Sequence, residues 1–306
     1  MKKRIAFVHN AMWEMYNFRG ELLQELKAKG YEITVICPPD EKNAHYFTDL
    51  GIKLLTVPMS RKGTNIKEDV QLVKNLFKVY KKEKFDLVFH YTIKPNIYGT
   101  LAAKLAGIKS IAITTGLGYV FLHNNITSLI AKFMYKFSLA FANEVWFLND
   151  DDMNIFLDKD LITERQAFKL PSEGINTKRF VPKEKNRKDS KTVFLMIARV
   201  LYDKGFNEYL EAAKLIKAQR NDVEFQLLGA IDSGNPSGVP QSVVEDAVSN
   251  GFINYLGTTS DVLPIIREAD CMVLPSYREG ISRVLMEAAS MEKPIIATNV
   301  TGCREV

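Results

Sequence analysis

Glu279 and Glu287 are the two carboxylates of a Glu-x7-Glu run within Pro275–Ala288, set on either side of an expected helix start. Cys271–Leu274 reads as a short buried strand, Gly280 frees the turn after it, and Ser282 can cap a helix running through Glu287 and Ala288. A diphosphate suits such a start, because backbone N–H groups and the positive end of the helix dipole bind phosphate without a side chain. Gly280, Ile281, Ser282 and Arg283 would form that cradle. The carboxylates are far enough apart to accept from two different diols, one on a sugar and one on a ribose. The plain alternative is a helix N-terminus with solvated acids.

A second cluster changes the balance. Val193–Ala198 has the apolar run of a buried strand, Arg199-Val-Leu-Tyr-Asp-Lys-Gly205 follows at once, and the next helix begins near Phe206. Arg199 and Lys204 then lie on one strand-to-helix loop at the carboxyl edge of a sheet, where open α/β folds bind ligands. Two cations there suit a diphosphate leaving group. Either residue alone would pass for a solvated loop.

Four segments occur in the order of a known family: Gly174–Phe180, Ala198–Gly205, the Leu256-Gly257 step and Glu279–Glu287. In these the chain resembles the retaining family-4 glycosyltransferases, whose fold is GT-B, two facing Rossmann-like domains. Tyr91–Gly99 and Thr115–Phe121 look like the branch that builds capsule, O-antigen and other bacterial glycans on polyprenyl diphosphate. Within that branch the chain is similar to N-acetylgalactosaminyltransferases acting on an undecaprenyl-diphosphate-linked sugar. The resemblance implies transfer of a hexosyl or N-acetylhexosaminyl group from a UDP-sugar to a glycan acceptor. Arg199, Lys204 and Glu279 would be catalytic, with Gly257, the Gly280–Arg283 turn and Glu287 on the donor. No metal is then required. The family pattern also implies further elements after Val306, so the second domain is expected to lack its C-terminal part.

Those loops need two wound sheets behind them. With 306 residues, 46% hydrophobic and 25% charged, the chain is long for one core and comfortable for two. Residues 1–170 alternate strand and helix, which predicts a parallel, doubly wound first domain, the acceptor side by resemblance. Its expected helices include Phe18–Lys29, Asn96–Ala106 and Ile126–Asn143. Pro171, Gly174 and Pro182, then the charged run Lys183–Ser190, read as a linker. Residues 171–306 restart the pattern as a second, donor-binding unit.

Several functions are excluded or set aside. The first strand is followed by a bulky turn through Gly20 with no G-x-G-x-x-G, which argues against a dinucleotide-dependent hydride-transfer enzyme. Asp150-Asp-Asp152 contains Asp-x-Asp, a metal-and-diphosphate motif of another transferase class, but Asn149 can instead cap a helix with three acids in its first turn. Three widely spaced cysteines and four scattered histidines form neither a disulfide frame nor a metal cluster. No apolar run near the N-terminus matches a signal peptide or a membrane span, so a cytoplasmic protein is expected. Other readings are a GT-B-type UDP-sugar epimerase and a non-catalytic basic binding protein. Nucleic acid is not an expected partner, since aromatic stacking motifs and a basic groove helix are missing.

Candidate acceptor residues lie in the first half. Asn17 and Arg19 line the turn region after the first strand, unless Asn17 merely caps the next helix. His90 and Lys94 fall at and just beyond the carboxyl end of a strand and would point into a cleft, although a satisfied core histidine is the plainer fate for His90. Gly116 and Gly118 could let the backbone approach a lipid diphosphate. The net charge of +5 sits here too, with 24 Lys/Arg against 18 Asp/Glu in residues 1–170 and 17 against 18 after them. Ile126–Asn143 mixes Leu129, Ile130, Phe133, Phe137 and Phe141 with Lys132 and Lys136, a composition for a core helix or for one in a lipid interface. Periodicity favours the core. A polyprenyl-linked acceptor favours peripheral attachment to an anionic membrane surface.

Overall fold

A computed structural model describes residues 2–60, 65–117, 126–187 and 190–306. The chain divides into two compact units, Met1–Glu173 and Gly174–Val306. The first unit holds β1 (Arg4–Val8), β2 (Glu32–Cys37), β3 (Lys53–Thr56), β4 (Leu87–Tyr91), β5 (Lys109–Thr114), β6 (Glu144–Phe147) and β7 (Ala167–Lys169). These pair in the order β3-β2-β1-β4-β5-β6-β7, each pair parallel. The second holds β8 (Thr192–Ile197), β9 (Val223–Leu228), β10 (Asn254–Tyr255), β11 (Cys271–Leu274) and β12 (Ile295–Ala297), ordered β10-β9-β8-β11-β12 and again parallel.

Apolar strands buried on both faces explain the parallel sheets. In β1, Ala6, Phe7 and Val8 are all buried, and Phe7 stacks on Phe89 of β4 with ring centroids 4.9 Å apart. The helix Ile66–Glu83 shows the matching 3.6-residue logic: Leu72, Leu76 and Tyr80 face the core, while the Asn65 side chain accepts from the N–H groups of Lys67 and Glu68.

The structure departs from expectation in five places. The first helix runs Met12–Ala28, earlier than Phe18–Lys29, because Met12, Met15, Arg19 and Leu23 share one buried face. Asn17 is therefore inside the helix and caps nothing. The segment Pro95–Gly99 is a π-helical turn leading into Thr100–Ala106. The three-residue strand β7 was not expected from the sequence. The run Lys183–Arg187 is not a loose linker: Lys185 and Arg187 pair with Asp270, and the N–H groups of Asn186 and Arg187 donate to Glu268. Finally, the helix Ile126–Leu139 is only partly core. Ser128, Tyr135, Ser138 and Leu139 are buried, but Leu129, Ile130, Phe133 and Phe137 are exposed.

Candidate functional site

In the second unit the strand order reverses between β8 and β11, and the loops leaving these neighbours are fastened together. Val200 and Leu201 bridge to Ile231 and Gly238, a 3-10 turn spans Tyr202–Lys204, and Gly205 opens the helix Phe206–Lys217. Gly205 has φ +83°, and a Cβ there would sit 2.2 Å from the Pro275 carbonyl oxygen, so a side chain at this position would push the loops apart. The Tyr277 N–H donates to the Asp203 carbonyl at 3.0 Å. Lys204 Nζ donates to Glu279 Oε1 at 2.7 Å and lies 3.3 Å from the Arg278 carbonyl oxygen. The two motifs singled out in the sequence thus meet in one ion pair.

A third loop supports them. After β12, the Thr301 carbonyl accepts from the Glu279 N–H at 2.9 Å and the Gly302 carbonyl accepts from the Ser282 N–H at 2.8 Å. Gly302, φ +81°, packs so closely that a Cβ would lie 2.4 Å from the Glu279 carbonyl carbon. Gly280 and Ile281 form the turn between these contacts, and the helix Arg283–Ser290 follows. Ser282 stands at its N-cap with extended backbone, although its side chain makes no capping bond.

Glu287 is buried, and Arg283 Nε donates to its Oε1 at 2.9 Å. Burial pushes its carboxyl up and the Arg283 bond opposes that shift. Glu279 and Glu287 therefore have separate cationic partners. Arg199 differs from Lys204: its side chain is 58% exposed and its nearest acid, Asp232, is 3.5 Å away. Gly257 ends the β10 side of this edge, with φ +70° and its carbonyl accepting from the Gly229 N–H at 2.8 Å. Sequence reasoning missed Asp232, Thr301 and Gly302; the Thr-Gly pair just after a strand was the available signal.

The first unit treats its candidates differently. Arg19 is buried, donates through Nε and an Nη to the Glu173 carboxylate at 2.9 and 2.7 Å, and lies 4.0 Å from the centre of the Tyr91 ring. Lys94 is buried and donates to Asp69 Oδ1 at 2.7 Å and to Ser60 Oγ at 2.8 Å, while Tyr98 donates to the other Asp69 oxygen at 2.7 Å.

The expectation that His90 contacts an acceptor is corrected. It is fully buried, with Nε2 2.9 Å from the Tyr80 hydroxyl, and burial pushes its imidazole down to about 3. Gly99 exists to fit it, since a Cβ there would lie 2.5 Å from the ring. Asn17 is half-buried within the first helix, and Gly116 follows β5 with φ +145°. Gly118 lies outside the described residues. Thr92, missed in the sequence, has φ +70°, strained for a β-branched residue, at the point where β1 and β4 reverse the first sheet.

Asp150–Asp152 begins the helix Asp150–Asp158, and Asn149 Oδ1 accepts from the Asp152 N–H at 2.7 Å. Lys169 pairs with Asp150 at 2.5 Å. Among the described residues, no group of three or more His, Cys, Asp or Glu side chains is placed to hold a metal. Cys37, Cys271 and Cys303 are free and buried, and burial pushes the Cys37 thiol up to about 12.

Residues 4–149 match the Glycosyl transferase 4-like family, and residues 177–306 match Glycosyl transferases group 1. Over 99% of its length the chain is 32% identical to the N,N'-diacetylbacillosaminyl-diphospho-undecaprenol alpha-1,3-N-acetylgalactosaminyltransferase of Campylobacter jejuni, covering 82% of that enzyme. The chain belongs to this glycosyltransferase family. The glycosyltransferase is also 26% identical to the UDP-Gal:alpha-D-GlcNAc-diphosphoundecaprenol alpha-1,3-galactosyltransferase of Escherichia coli, over 89% of this chain and 72% of that one. Its fold is GT-B. A glycosyltransferase from Rickettsia africae superposes with a TM-score of 0.78 at 22% identity, covering 99% of this chain and 81% of that one. Anabaena HepE in complex with UDP and glucose superposes with a TM-score of 0.76 at 15% identity, covering 98% and 82%.

Proposed function

We propose that this glycosyltransferase moves a hexosyl or N-acetylhexosaminyl group from a UDP-sugar to a polyprenyl-diphosphate-linked glycan, with retention, without a metal ion, at the inner face of the cytoplasmic membrane. The observation that carries the reading is the 2.7 Å pair of Lys204 and Glu279, made by the loops on either side of the reversal point in the second sheet. The names of the two similar enzymes, both acting on undecaprenyl-diphosphate-linked sugars, support the acceptor class.

The chemistry follows from charge. As the glycosidic bond to the diphosphate breaks, negative charge grows on the leaving group, and donors already aimed at it lower the barrier most. Lys204, held by Glu279, is such a fixed cation; Arg199 is a more exposed one, paired with Asp232 at the same loop edge. The start of the helix Arg283–Ser290 adds backbone N–H groups and its positive dipole end. Glu279 keeps its second oxygen for sugar hydroxyls while steadying Lys204. Glu287, made more basic by burial, accepts from the ribose diol.

Incubating the full chain with a panel of UDP-sugars and short polyprenyl-diphosphate glycans tests this. A mass gain of one sugar on the acceptor is expected. Release of UDP without a new glycoside would transfer the assignment to a UDP-sugar epimerase.

A further inference from the structure

Unpaired polar atoms collect beneath the carboxyl ends of β4 and β5, beside the point where the first sheet reverses its order. Thr92 Oγ1, Asn96 Oδ1 and Thr114 Oγ1 are enclosed, and each lacks a hydrogen-bond partner among the described residues. Asn96 is 1% exposed and Thr114 4%. Folded proteins pair nearly all such groups, so three orphans in one place require a partner that the chain itself does not supply. The ladder brings them together. Tyr91 stands opposite Ile113 in the β4–β5 pairing, which sets Thr92 and Thr114 at the next step beyond it. The Asn96 backbone N–H donates to the Thr92 carbonyl at 2.9 Å, and the Asn96 side-chain amide donates to the Ile113 carbonyl at 3.0 Å.

The chemistry of the three atoms selects the partner. Turning the Asn96 amide over would set its oxygen against the Ile113 carbonyl, so the orientation is fixed and Oδ1 can only accept. Burial pushes the Tyr135 phenol up and its bond to Asn96 opposes that shift, which makes the amide the donor there too. The two threonine hydroxyls can each donate or accept. Three neutral oxygens bring no negative charge, which disfavours a metal ion. Water meets all three. The backbone around them is held in costly conformations, with Thr92 at φ +70° and Pro95–Gly99 wound as a π-helical turn, and such conformations persist only where their surroundings fix them.

We propose that one internal water molecule is bound between Thr92 Oγ1, Asn96 Oδ1 and Thr114 Oγ1, donating to Asn96 and to one threonine and accepting from the other. About three hydrogen bonds are the usual complement of a buried water. This water ties the exit of β5, which runs on to Gly116, to the left-handed turn at Thr92 from which Lys94 follows. The first unit thus fastens neighbouring strand exits through a solvent molecule, whereas the second fastens its own by direct backbone contacts such as that of Tyr277 with Asp203.

Thr114→Val in the full chain tests this by the sign of its effect, since valine keeps the shape and removes the hydroxyl. An orphan hydroxyl destabilises the fold, and deleting it would raise stability. A hydroxyl bonded to water contributes to stability, and deleting it also leaves Asn96 Oδ1 short of a partner. The urea midpoint of the first unit is therefore expected to fall by about 0.5 M. A high-resolution crystal structure gives an independent reading. One density peak is expected about 2.7–3.0 Å from both Asn96 Oδ1 and Thr114 Oγ1 in the wild type, and none in Thr114→Val. An unchanged or higher midpoint in the variant, wild-type density without the peak, or a peak at the shorter distances of a metal ion, about 2.0–2.6 Å, would each overturn the proposal.

Discussion

Both sheets present charged side chains beyond the carboxyl ends of their strands, yet the two units use them in opposite ways. In the first unit Arg19 with Glu173 and Lys94 with Asp69 are buried pairs, closed off by Tyr91 and Tyr98. In the second, Lys204 with Glu279 is only four-fifths buried, Arg199 is mostly exposed, and both sit on loops held by glycine-to-backbone contacts. A more deeply buried pair satisfies itself and offers little to a ligand, whereas a pair that keeps part of its surface open on a rigid loop can redirect its hydrogen bonds. Identical residue types at equivalent edges therefore stabilise one unit and equip the other.

Breaking the first pair tests the contrast most strongly. Arg19→Met is expected to destabilise the first unit by about 3 kcal/mol, because the mostly enclosed Glu173 carboxylate is left uncompensated; chemical denaturation reads this. Lys204→Ala should cost less stability than Arg19→Met, since its own side chain is less buried than that of Arg19, and lower kcat/KM by roughly a hundredfold to a thousandfold. Arg199→Ala should lower kcat by about a hundredfold or less, since an exposed side chain is less preorganised. Equal losses at both positions would remove the distinction between the enclosed and the exposed cation.

Acid probes the buried side of the contrast. His90 is pushed down to about 3 from an ordinary 6.5, so the unfolded chain binds a proton the folded chain refuses. Its contribution to stability is whole above about pH 6.5 and is lost as pH falls toward 3, at about 1.4 kcal/mol per pH unit. Urea midpoints across that range should fall less steeply in His90→Gln. On the ligand side, Glu287→Ala should raise the donor KM about tenfold with kcat nearly intact. The smallest expected effect is that of EDTA on activity, which should be negligible; loss of turnover restored by Mg²⁺ or Mn²⁺ would move the chemistry away from Lys204 and Arg199.

The wound sheets and the meeting of the two strand-to-helix loops in the second unit were readable because their signals are local. Apolar runs such as Val193–Ala198 and the spacing of Lys204, Gly205, Glu279 and Gly280 survive in a linear string. The buried pairs did not, because Arg19 and Glu173 stand 154 positions apart and each alone has the look of a solvated charge. Strand β7 was too short to carry a period, and it forms by pairing with β6. The helix Ile126–Leu139 misled for a related reason: apolar periodicity reports that a face exists and is silent on what covers it.

The anchoring of Lys183–Arg187 has a consequence for how the protein meets a protease. Read as text, Lys-Glu-Lys-Asn-Arg is an ideal substrate for an enzyme that cuts after basic residues. In the folded chain the Arg187 side chain is only 16% exposed, and Glu268 and Asp270 hold the backbone through three N–H groups, those of Asn186, Arg187 and Val193. Cleavage needs that stretch to lift away and extend into the protease. Burial opposes ionisation of Asp270, but its bonds to Lys185, Val193 and Arg187 hold the carboxyl below its usual range. Digestion after Arg187 should therefore be slow at neutral pH and low salt, and should quicken as salt screens those carboxylates.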